Sequence, residues 1–194
     1  MNQYQVAGDG LKKMFIAQVG SIVCTLIGLI PIIGKIAGIG SLVFLVISLV
    51  GLNQAGKQIA GCKKAFSIQI GVLIASILLS VVGAVLTLLA TFVGVLFIAV
   101  LGIAVSVLSF IAIYYICTSV SEVLTQMGDT ESAKAGDTAW KAMLVCQIVA
   151  IIATLLSFVP LLSSVVGFIS TVVGVVGAIF YVIFLNKSST RLAA

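Results

Sequence analysis

The chain has 194 residues, of which 62% are hydrophobic and only 8% charged, with a net charge of +5 and a mean hydropathy of +1.38. Soluble domains are about 45–50% apolar and about 25% charged, so fifteen charged side chains cannot cover a soluble body this rich in Val, Ile and Leu. An ordinary globular domain, a disordered chain and a disulfide-stapled secreted domain are excluded, and a protein of the bilayer remains.

In chain order, residues 1–11 read as a polar tail, followed by Lys12-Lys13 and a long apolar run. The run is longer than the roughly 7–15 residues of a signal-peptide core, and no small-residue cleavage pattern follows, so it reads as a retained first membrane helix. A helix needs about 20 apolar residues to cross the hydrocarbon. Met14–Gly34 and Ile36–Gly56 each supply one span, separated by Lys35. Residues 65–121 run for 57 residues without a charge, and residues 142–186 for 45, enough for two spans each. The expected total is six transmembrane helices. Turns are expected at Pro31 with Gly34-Lys35, within Ser80–Gly94, and at Pro160 with Ser163-Ser164. Barrel strands would alternate with period two, which these runs do not.

Charge sets the expected orientation. With six spans, both termini and the segments 53–64 and 122–141 share one side, which carries nine of the ten Lys and Arg residues and all five acids; Lys35 alone lies opposite. By the positive-inside rule that side, with both termini, is cytoplasmic. Short loops suggest a prokaryotic-type cytoplasmic membrane. Tyr114, Tyr115, Trp140 and Tyr181 are expected near this face as an aromatic belt. No basic stretch is interleaved with stacking aromatics, so nucleic acid is not an expected partner.

The chain also resembles itself. Positions 12–41 align with 141–170 without a gap, and nine pairs are identical, including Lys12/Lys141, Gln18/Gln147 and Pro31/Pro160. Lys63 to Gly71 repeats Lys12 to Gly20 at five of nine positions, including Gln18/Gln69. An Ala-Gly pair precedes each copy: Ala7-Gly8, Ala60-Gly61 and Ala135-Gly136. The expected fold is therefore an all-α membrane protein of three helical-hairpin repeats, residues 12–60, 61–128 and 141–186, arranged as a pseudo-threefold bundle. Residues 129–140 read as a cytoplasmic connector and 187–194 as a polar tail.

Gln18, Gln69 and Gln147 each follow a Lys by about 9 Å of helix rise, just inside the hydrocarbon. An amide there needs a partner. The three read either as a ring lining a polar vestibule or, the commoner use, as interhelical glue. Ser21, Thr25, Ser76, Ser80, Thr154 and Ser157 are further lining candidates. Gly34, Gly38 and Gly167 are candidate close-packing positions, with packing within the bundle the default. Val123, Leu124 and Met127 recur at helical spacing beyond the fourth span and are candidate docking residues. Gly128 fits a helix C-cap, Asp129 or Thr130 a following N-cap, and Asp137-Thr138 a cap for the fifth span.

No charged residue falls at an expected midplane, which argues against proton relays, voltage sensing and ion-coupled transport. Histidine is absent and no CxxC pair occurs, so neither a metal site nor a Cys–His or Ser–His nucleophile is expected. Cys24, Cys62, Cys117 and Cys146 read as small packing residues. No catalytic residue and no cofactor is expected. The function that fits is a non-enzymatic structural or accessory membrane component, binding a membrane partner or assembling with itself. The alternative is a small channel or facilitator for neutral solutes.

Overall fold

A computed structural model of the protein describes residues 3–28, 34–88, 92–156 and 160–193, with side chains described for all of these except 34–38, 86–88, 92–93, 95 and 160–164. The described chain is all helical: α1 (Gln5–Gly28), α2 (Gly34–Ala55), α3 (Ala60–Leu88), α4 (Phe92–Gln126), α5 (Thr130–Leu156) and α6 (Pro160–Ala193). Five of the six are long and apolar enough to cross a membrane, and the described apolar part of α2, Ile39–Ala55, is shorter. Large apolar side chains such as Val23, Leu42, Leu78, Phe97, Ile152 and Phe168 stand on the outside, as they do on helices that meet lipid on their outer faces.

Each helix packs on its chain neighbours and α6 returns to α1, closing a ring. The contacts α1–α2, α3–α4 and α5–α6 are extensive, whereas α2–α3 is the slightest in the ring, and α4 also touches α6. α3 is described to Leu88 and α4 from Phe92, both within the expected window, and α6 is described from Pro160; the residues between, 89–91 and 157–159, lie outside the described residues. Pro31 lies outside the described residues, and Ser163-Ser164 lies within α6 rather than in a turn.

Among the described residues, full burial is concentrated at one end. Gly94 aside, the described buried residues reach only to Ala17 on α1, Val72 on α3 and Ala139 on α5, and begin only at Gly51 on α2, Ala112 on α4 and Gly177 on α6. All of these lie towards the Lys-rich end. Phe184, Leu11, Leu52, Ile116, Leu124, Leu185 and Leu192 fill the core between the small residues Ala7, Ala55, Ala65, Ala112 and Ala139. Cys62 and Cys117 are buried in the same core.

Several expectations change here for one reason: the helices run past the hydrocarbon and pack there. At about 1.5 Å per residue, the 35 residues of α4 outreach a hydrocarbon core of about 30 Å. Within the expected polar tail, residues 5–11 are the start of α1, with Ala7, Gly8, Gly10 and Leu11 buried. Residues 187–193 are the last two turns of α6, and residues 130–140 of the expected connector are the first three turns of α5. Tyr181 is buried in the core and is not part of an interfacial belt, while Tyr114 and Trp140 meet edge to face at 5.3 Å.

The α4–α5 corner shows how sequence directs this. Gly128 takes φ +82°, a left-handed conformation that glycine adopts without a Cβ penalty. Its N–H donates to Thr125 O at 3.0 Å and the Asp129 N–H to Leu124 O at 2.9 Å, the paired bonds of a Schellman ending. Asp129 then caps α5: its Oδ1 accepts from the Ser132 N–H at 3.0 Å, and its Oδ2 accepts from the Ser132 hydroxyl at 2.8 Å and faces Arg191 Nε at 3.0 Å. The Ser132 N–H, then its hydroxyl, then Arg191 hold the Asp129 carboxyl below its ordinary range, so this cap is intact at neutral pH and is lost as pH falls through that lowered range. Asp137 does not cap a helix; it accepts from Trp140 Nε1 and pairs with Lys141 within α5.

At the opposite corner Gln58, in the α2–α3 turn, reaches over to α1. Its Oε1 accepts from the Ala7 N–H and its Nε2 donates to Gln3 O, both at 2.6 Å. One orphan donor of the first turn of α1 is satisfied from the α2–α3 turn. Gln58→Ala is expected to lower stability by about 1 kcal/mol, the usual worth of a lost N-cap. Thermal unfolding in detergent, with Lys57→Ala as a neighbouring control, checks this.

Candidate functional site

Above the core, on the side away from the lysines, lies a cavity of about 300 Å³. Its wall runs from Met14 to Ser21 on α1 and from Leu52 back to Ser41 on α2, with Gln69 of α3, Ile113 and Ile116 of α4 and Tyr181 of α6. Met14, Leu52, Ile116 and Tyr181 belong to the core as well as to the cavity, so the core is its floor. Most of the wall is apolar. The polar groups are the amides of Gln18 and Gln69 and the hydroxyls of Ser21, Ser41, Ser48 and Tyr181.

Two of the three repeated glutamines therefore share one space. Among the described residues neither the Gln18 nor the Gln69 amide has a hydrogen-bond partner. Each amide can both donate and accept, and an unpartnered one inside a membrane protein favours any guest that supplies the missing bonds.

Gln147 is placed differently. No residue of α5 lines the cavity. Gln147 Nε2 instead donates to Ser106 Oγ on α4 at 2.8 Å, and that hydroxyl donates to Ile103 O at 2.8 Å. Beside it, Cys146 Sγ lies 3.2 Å from Val173 O of α6. The sequence repeat makes the three amides equivalent, but the fold uses the third as a bond between helices. Removing it with Gln147→Leu is expected to cost about 0.6–2 kcal/mol, with no further loss on adding Ser106→Ala. A double-mutant cycle in detergent unfolding measures that coupling.

A second cavity, of about 250 Å³, sits on the α1–α6 seam and is lined in part by Gln18, Ser21, Thr25, Thr171 and Gly174. Gln18 and Ser21 border both spaces. Thr25 and Thr171 donate to the carbonyls of Ser21 and Gly167 one turn back, so their hydroxyl protons are used locally. Ser80 and Thr154 donate in the same way to Ser76 and Ala150. Ser157 lies outside the described residues.

The remaining candidates move. Val123 and Leu124 are buried in the core and are not available for docking, because α4 turns its apolar face onto its neighbours; Met127 is exposed. Among the described residues a Cβ at Gly167 would meet nothing within 4 Å, and the surroundings of Gly34 and Gly38 lie outside the described residues. Close approaches occur beyond the packed half, where a Cβ on Gly20 would meet Phe44 and one on Gly40 the Cys24 sulfur, but those against backbone fall within it. A Cβ on Gly8 would meet the backbone of Ala193, one on Gly61 the Ser119 side chain, and one on Gly136 those of Ser121 and Phe184. These are the glycines of the three Ala-Gly pairs. Gly10 and Gly51 face each other across α1 and α2, each placing a Cβ 2.5 Å from the other's carbonyl oxygen.

Ser41, Ser48 and Tyr181 were not among the sequence candidates. Ser41 and Ser48 stand seven residues apart, with Leu45 and Leu52 on the same helical stripe, a two-turn spacing that marks one face of α2. Among the described residues no three His, Cys, Asp or Glu side chains converge on a point that could hold a metal ion. No protein-family model matches the chain, and neither does any curated protein or solved structure.

Proposed function

We propose that this is a non-enzymatic integral membrane protein that holds a small uncharged guest in the cavity above its core and acts as a facilitator for neutral solutes, with its Lys-rich end and both termini cytoplasmic. The convergence of the unpartnered Gln18 and Gln69 amides on one 300 Å³ space carries this reading. The wall offers amides and hydroxyls but no acid, base or histidine, which suits binding rather than bond-breaking and disfavours an ion. Passage to the Lys-rich side requires the Met14, Leu52, Ile116 and Tyr181 layer to part.

Flux of glycerol and urea into liposomes containing the purified protein tests the reading. Gln18→Leu/Gln69→Leu is expected to abolish the flux and Gln147→Leu to leave it. No flux through the wild type, or undiminished flux through the double variant, would sink the proposal.

A second reading, self-assembly or association with another membrane protein, draws on the α2–α3 seam, where the ring is least closed. Cross-linking in native membranes through cysteines placed along that seam would give a defined complex if it holds, and only monomer if it does not.

A further inference from the structure

The Lys-rich end is electrically lopsided. Around α5 and α6 the acids are matched: Asp129 faces Arg191, Glu131 faces Lys187 and Asp137 faces Lys141. Around α1 to α3 they are not. Asp9 is the sole acid in residues 1–121, and among the described residues Lys12, Lys13, Lys57 and Lys63 have no ion-pair partner.

Two of these lysines share a pocket. A space of about 370 Å³ at the α2–α3 turn is lined by Asn53, Gly56, Lys57, Gln58, Ala60 and Lys63. The turn is braced. Gln58 ties it to the start of α1, and a Cβ on Gly56 would lie 3.0 Å from Lys63 Cα, so the turn folds directly onto the first turn of α3. The pocket thus combines two lysines with the start of α3, where the helix dipole favours negative charge; the N–H groups of Gly56, Lys57, Gln58 and Lys63 are bonded within the turn. Its depth is also set: the outward apolar face of α2 runs up to Val50, and the uncharged run of α3 starts at Ala65. That places the pocket at headgroup level, above the slight α2–α3 seam.

We propose that this pocket binds the phosphate of an anionic phospholipid from the leaflet at the Lys-rich end. A zwitterionic headgroup would bring its own cation towards Lys57 and Lys63, so selection for net negative headgroups follows from like-charge repulsion as well as from attraction. The site is independent of the Gln18/Gln69 cavity.

The experiment is thermal unfolding of the purified protein in a neutral detergent with added dioleoylphosphatidylglycerol or dioleoylphosphatidylcholine. A ligand that binds only the folded state raises Tm, so phosphatidylglycerol is expected to raise it above the phosphatidylcholine value. Lys57→Gln/Lys63→Gln is expected to lose this difference. Lys12→Gln/Lys13→Gln, which removes equal charge outside the pocket, is expected to keep it, as is Lys57→Arg/Lys63→Arg. No difference in the wild type, or equal loss in both Gln variants, overturns the site. Inorganic phosphate reproducing the whole shift overturns a lipid as its source.

Discussion

Gly51→Val is expected to force α1 and α2 apart and to lower stability by about 3 kcal/mol, at the upper end of what overpacking costs. The obstacle is backbone. A Cβ at residue 51 meets Gly10 O at 2.5 Å and the side chains of Lys13 and Met14 at 3.0 Å. Only a side chain could rotate away, so the helices must separate. Separation unpacks Leu11, Met14 and Leu52 together, because all three belong to the one core. Detergent unfolding measured against Gly174→Ala provides the comparison. A Cβ at Gly174 meets nothing within 4 Å, so that change should be neutral or stabilise by up to about 1 kcal/mol through helix propensity. Equal losses in the two variants would show that α1 and α2 do not cross at this glycine pair.

Phe184→Ala is expected to cost about 3–5 kcal/mol. The ring is the largest of the fully buried side chains, and it lies in the space left by Gly136: a Cβ there would stand 2.7 Å from Phe184 Cε2. The two positions should therefore be coupled. Gly136→Ala is expected to be destabilising alone and less so in the Phe184→Ala background, although its contact with Ser121 keeps it from becoming neutral. Additive effects in an unfolding cycle would mean that ring and helix are not in contact.

Residue pattern made the helices legible because apolar run length and the positions of lysines depend on the bilayer alone. The chemistry of the α4–α5 corner was legible too: Gly128 and Asp129 are where a C-cap and an N-cap belong, and both act as such. Packing was harder to read. Gly167 looks like Gly10, Gly51 and Gly136 in composition, yet what distinguishes it is which helix passes nearby and at what level. That depends on the ring closing at the Lys-rich end, a tertiary fact that no local spacing carries. The glutamines show the same limit. Gln18, Gln69 and Gln147 occupy matching places in the repeat, but a neighbour, Ser106, captures the third. Val123 and Leu124 looked like a docking face because their stripe is apolar; the partner proved to be the protein's own core.

Because the buried side chains gather at one end, the six helices are held like levers in a single clamp. The amides that exchange slowest with solvent should then lie in Ala112–Leu124 and in the last three turns of α6, where opening requires global unfolding.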